Sequence, residues 1–182
     1  MRRLTFTLLF ALAIAPAAYA ASGATGDGAL SILNANVTAI SITGKGTIYG
    51  QLDKGTIVVT DTDPTDGTPV VTGYTKPRVL KAGTTNSYVY TGKDMTFRMV
   101  GGGFKLWIAG TNVDFVAVGV GRAYLKGDPK ADDPGTYTVD GAKHLAIPVV
   151  PAVAPAVGTT WPGLLVTFGK QPVTTTTAST SP

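Results

Sequence analysis

No cysteine occurs among the 182 residues, which excludes disulfides, thiolate metal sites and a cysteine nucleophile together. Glutamate is absent as well, so all 11 acidic residues are aspartates. Glutamate favours helices, whereas aspartate competes for backbone hydrogen bonds and prefers turns and caps. With a single histidine, His144, imidazole-based metal sites are poorly supplied. Without disulfides the fold must rest on its own apolar core. A stretch of ~120 residues can do this, because it buries roughly two-thirds of its unfolded surface.

What is present begins with the N-terminus. Arg2 and Arg3 precede an almost continuous apolar run from Leu4 to Ala15, broken by Pro16. Ala18-Tyr19-Ala20 then supplies the small-x-small pattern that signal peptidase accepts. The run is shorter than the ~20 apolar residues a membrane-spanning helix needs. This predicts a signal peptide over 1–20, cleaved before Ala21, and a secreted or cell-envelope protein with no membrane anchor after cleavage. Removing Arg2 and Arg3 leaves 13 − 11 = +2 net charge, against +4 for the whole chain. A charge of that size gives little support to a nucleic-acid partner.

Twenty-three glycines, 12 prolines and many Val, Ile, Thr and Tyr residues predict an all-β chain. Turn signals recur every 8–12 residues, the spacing of a mostly antiparallel β-sandwich or partly closed β-barrel with about 8–10 short strands. Alternation places Met95, Phe97 and Met99 on one face of a strand, with Thr96 and Arg98 on the other. Phe104, Leu106 and Ile108 resume an inward face, and Val113, Phe115 and Ala117 continue it. Gly44-Lys45-Gly46 and Asp53-Lys54-Gly55 read as hairpin turns separating strands 38–43, 47–52 and 56–60, and Gly110-Thr111-Asn112 reads as another turn. The expected organisation is a flexible segment 21–28, a β domain 29–145, a Pro-rich extension 146–172 with one strand at 164–168, and a disordered Thr-rich tail 173–182.

Two stretches echo one another. Ile42-Thr43-Gly44-Lys45-Gly46-Thr47-Ile48-Tyr49 and Val118-Gly119-Val120-Gly121-Arg122-Ala123-Tyr124 both read as strand, glycine pair, strand. Glycines spaced so inside strands predict bulges or corner bends. Behind a leader, these glycine-paired segments resemble uncharacterised secreted all-β proteins of high-GC Gram-positive bacteria. The resemblance covers about two-thirds of the chain and implies export and fold class, without assigning a role to any residue.

Candidate chemistry is sparse. No Gly-x-Ser-x-Gly elbow accompanies His144, which reads as a solvated residue at a strand end. Asp61, Asp63 and Asp66, with Gly67 for a sharp turn, offer carboxylates for a hard cation, so calcium is the one candidate cofactor. Their spacing departs from the usual calcium loop. Asp128, Asp132 and Asp133 repeat the pattern more weakly. Trp107 falls on the side of the strand opposite Phe104, Leu106 and Ile108, together with Lys105. An outward indole beside a cation suits a sugar ring or a partner surface. Arg98, on the polar face of the preceding strand, is a further candidate. These features predict a non-catalytic secreted structural or binding module, whose partner would be a cell-envelope or extracellular polymer or protein. The alternatives are a secreted hydrolase using loop aspartates and a calcium-stabilised surface protein.

Overall fold

The computed structural model describes residues 28–62, 68–82, 85–149 and 163–169. The expected signal peptide, most of the aspartate loop after Asp61, and the Thr-rich tail lie outside the described residues. The chain is all-β, as expected, and among the described residues eight strands join in one antiparallel sheet that does not close into a barrel. They are β1 (Gly28–Asp61), β2 (Val70–Tyr74), β3 (Arg78–Ala82), β4 (Thr85–Met99), β5 (Gly103–Gly127), β6 (Thr136–Val139), β7 (Leu145–Ala146) and β8 (Leu164–Phe168).

Strand length is the unexpected feature. Most strands run 3–10 residues, yet β1 has 34 and β5 has 25. The expected turns at Gly44-Lys45-Gly46, Asp53-Lys54-Gly55 and Gly110-Thr111-Asn112 are not hairpins. They are creases inside continuous strands, because β1 and β5 pair with each other on both edges and leave no room for local return. One ladder runs from Val37↔Gly127 to Asp61↔Phe104, and a second from Gly28↔Gly119 to Lys45↔Gly103.

These ladders fold the sheet into two layers. In layer I the order is β3, β4 (85–92), β1 (54–61), β5 (103–111), β1 (37–45), β5 (120–127) and β8. In layer II it is β2, β4 (95–99), β1 (46–52), β5 (113–119), β1 (28–35), β6 and β7. The core lies between them and draws on both, with Ile40, Ile42, Ile57, Phe104, Leu106 and Ile108 from layer I and Leu30, Ile32, Ile48, Met95, Phe97 and Phe115 from layer II. Burying each such side chain contributes about 1.5–3 kcal/mol.

Glycines on the inner face are matched to phenylalanines. Gly44 lies opposite Phe104, Gly50 opposite both Phe97 and Phe115, and Gly121 opposite Phe168. In each case a methyl group on the glycine would run into its partner: the Phe104 ring at 3.2 Å, the Phe97 ring at 2.7 Å, the Phe168 ring at 2.6 Å. A missing side chain weakens a strand, but here the neighbouring ring occupies the vacated surface. Phe168 is fully buried, so the strand expected at 164–168 returns to the body and completes the core.

Candidate ligand-binding face

A strand in a two-layered sheet turns one set of side chains inward and the other to solvent. On layer I the outward set is ordered by register. Val58, Trp107, Ser41, Tyr124 and Leu165 form one row across the strands, which the buried Val89 ends, and Ser87, Thr60, Lys105, Thr43, Arg122 and Thr167 form the next. The alternation expected around Trp107 therefore holds, with Phe104, Leu106 and Ile108 buried and Lys105 and Trp107 exposed.

Trp107 and Tyr124 are each 37% exposed, and Leu165 is 54% exposed. Beside Tyr124 and Leu165 lies a depression of about 330 Å³, lined also by Ser41, Thr43, Lys105, Arg122 and Ala123, while Trp107 stands next to Ser41 on its other side. Tyr124 is held from behind, since its ring packs over the bare backbone of Gly163. Hydroxyl pairs brace the far side of the face: Thr60 with Ser87 at 2.7 Å and Thr56 with Thr91 at 3.0 Å. Such cross-strand pairs contribute roughly 0.2–1 kcal/mol each.

Arg98 does not join this group. It lies opposite Tyr49 and Val70 on the outer face of layer II. The sequence groups it with Trp107 because both look outward, but β4 (95–99) and β5 (103–111) belong to different layers. Ser41, Tyr124 and Arg122 are the residues that sequence reading misses. No spacing within one segment reveals them, because only the register of β1 against β5 brings them beside Trp107. Layer II carries its own outer depression of about 270 Å³, where Tyr49, Leu33 and Val116 approach the Gln51–Asp114 pair.

Five of the described aspartates accept hydrogen bonds from the surrounding strands and turns. Asp114 accepts from the Asn34 N–H at 2.6 Å, Asp128 from the Lys130 N–H at 2.9 Å and Asp133 from the Gly135 N–H at 2.8 Å. Asp140 accepts from the N–H groups of Ala29 and Gly169, and Asp53 from the Asn112 side-chain amide. Asp63 and Asp66 lie outside the described residues, as does the side chain of Asp61. Among the described residues, no three acidic or histidine side chains converge on a cation site, Asp128, Asp132 and Asp133 included. His144 is exposed in the short segment before β7.

No protein-family model, no curated protein and no solved structure matches this chain.

Proposed function

We propose that the protein is a non-catalytic binding module acting outside the cytoplasmic membrane, with the outer face of layer I as its binding surface. The observation that carries this reading is a row of two half-open aromatic rings, Trp107 and Tyr124, on either side of Ser41, next to a depression that Tyr124 lines together with hydroxyls and cations. Aromatic side chains with one apolar face and a polar surround recur at recognition surfaces because they bury area while losing little conformational freedom. Placement outside the membrane rests on the leader pattern of Arg2-Arg3, the run Leu4 to Ala15, and Ala18-Tyr19-Ala20. The non-catalytic part is supported by Asp53, Asp114, Asp128, Asp133 and Asp140, each already accepting a structural hydrogen bond. A general acid needs a carboxyl with a raised pKa aimed at substrate.

The test compares wild type with Trp107→Ala on a panel of immobilised glycans and envelope proteins. Ligands held by wild type and lost by the variant, without turnover, are the expected result. Because Trp161 also emits, fluorescence quenching is followed in a Trp161→Phe background, where acrylamide should reach Trp107 readily. Hydrolysis of any retained glycan would overturn the reading in favour of a secreted hydrolase. Loss of more than about 3 kcal/mol of stability in Trp107→Ala would assign the indole to packing instead.

A further inference from the structure

The two outer faces differ in charge far more than in shape. By register and alternation, the outward charged side chains of layer I are Arg78, Lys105, Arg122, Lys126 and Lys45, with Lys54 and Lys93 at its crease. Among the described side chains no carboxylate lies on the outer strands of that face, and Asp53 and Asp94 stand in the same crease as Lys54 and Lys93. Layer II carries one cation and one anion on its outer strands, Arg98 and Asp114. The remaining described aspartates, Asp53, Asp94, Asp128, Asp132, Asp133 and Asp140, sit in creases and loops. Lys105 and Arg122 are exposed and have no acidic partner among the described residues. A chain of net charge +4 has thus gathered positive charge on one sheet face.

Resting on the binding-module reading, we infer that this face binds a linear acidic polysaccharide, with uronate carboxylates as its charged groups. The rows dictate the choice. Trp107 and Tyr124 flank Ser41, so the rings stand two inter-strand steps apart, ~10 Å. Lys105 and Arg122 flank Thr43 at the same interval in the next row, ~7 Å along the strands. One row offers flat apolar rings and the other offers cations, at a common repeat and in parallel. A chain of sugars crossing the strands lays alternate ring faces on Trp107 and Tyr124. The carboxylates that project from one side of such a chain reach Lys105 and Arg122. Arg122 can take its carboxylate through two parallel N–H bonds, and Lys105 acts as a point charge. Ser41 and Thr43 lie between, where hydroxyl donors and acceptors meet sugar hydroxyls. The cations are spaced apart, one to each aromatic ring, which matches one anion per repeat better than the continuous phosphate charge of nucleic acid.

The experiment uses three probes on the full mature chain: polygalacturonate, neutral hydroxyethylcellulose and oligothymidylate, each titrated by calorimetry. Polygalacturonate should bind at least tenfold more tightly than either of the others, and its affinity should fall as salt rises. The Lys105→Gln/Arg122→Gln double variant should lose at least tenfold for polygalacturonate at an unchanged melting temperature. Arg98→Gln, on the other layer, should bind like wild type. Equal binding of hydroxyethylcellulose, lost in Trp107→Ala, would overturn the acidic ligand while leaving the binding module standing. Tighter binding of oligothymidylate would replace the polysaccharide with a nucleic acid. No binding of any probe would overturn the inference. Binding unaffected by Lys105→Gln/Arg122→Gln, or equally weakened by Arg98→Gln, would overturn the assignment to this face.

Discussion

The sheet is bent along two lines, and the bends are made in opposite ways. One line runs through Asn34, Asn112, Asp53 and Asp94, the other through Gly46 and Gly119. At the first, Asn34, Asn112 and Asp94 take left-handed backbone angles, with φ of 51°, 50° and 50°. Each strand gains a residue there, so the inward positions change parity: Ile32 to Ala35, Leu52 to Ile57, Val113 to Ile108. Asparagine and aspartate tolerate this conformation better than other side-chain-bearing residues, and their side chains then join the strands. Asn112 donates its side-chain amide to Asp53 at 3.2 Å and its backbone N–H to the Asn36 side-chain oxygen at 3.3 Å, while the Asn36 amide donates to the Asp133 carbonyl at 2.9 Å.

At the second line no residue is added, and Ile42 and Ile48 or Ala117 and Ala123 remain in phase. Gly46 and Gly119 pair with each other at φ of 139° and 138°. A side chain on either would strike the backbone of the facing strand. The lesson is that a long strand turns a corner either by inserting a residue that brings its own hydrogen bonds, or by removing side chains until two backbones touch. The first tolerates exchange; the second does not.

Substitution should expose that inequality. The largest effect is expected from Gly119→Val, which combines a forbidden backbone angle with a buried clash, so it should cost about 4 kcal/mol or more or prevent folding. Urea denaturation measures this, and a loss below about 1 kcal/mol would show that the glycine line does not depend on bare backbone. On the Asx line, Asn112→Ala should cost about 1–2 kcal/mol through left-handed strain and the lost amide. Asn112→Gly should recover part of that loss. If the glycine variant is the worse of the two, the hydrogen bonds matter more than the backbone angle.

Asp140, with φ of 51°, ties the start of β1 to the end of β8 through Ala29 and Gly169. Asp140→Ala should cost about 1 kcal/mol and raise amide exchange in 164–168 ahead of the rest. Uniform exchange would place the tie elsewhere. The smallest effect concerns Tyr90, beside Tyr74 at 5.0 Å where the Asx line meets β2. Burial pushes the Tyr90 phenol above its usual 10.0, with smaller help from Tyr74 and Tyr88. The folded state therefore holds this proton more tightly than the unfolded chain, and the stability it contributes is lost as pH rises above about 10. Tyr90→Phe should flatten that alkaline decline slightly, and an unchanged slope would remove Tyr90 from it.

Fold class and most inward faces were legible because composition and alternation are local. Met95, Phe97 and Met99 were placed correctly on sequence alone, as were Phe104, Leu106 and Ile108. The creases were not, because Asp53-Lys54-Gly55 carries the same residue types as a hairpin turn. Both structures ask for left-handed angles or absent side chains, so only the distant partner strand decides between them. The echo of 42–49 and 118–124 had a physical origin: Gly44 pairs with Gly121 and Gly46 with Gly119, so the two stretches lie against each other. Half of the candidate face was legible for the same reason. Lys105 and Trp107 share a strand, whereas Tyr124, Ser41 and Arg122 reach them only through register, which also places Arg98 on the other layer.

The length of β1 has a consequence in time. Between 28 and 45 it is flanked by β5 on one edge, and from 37 to 61 by β5 on the other. Neither layer can close until residues 103–127 have been made and have found it. Folds built on such distant pairings are slow, because the chain entropy of closing the loop is lost before contacts reward it. A newly made chain therefore spends its early life open.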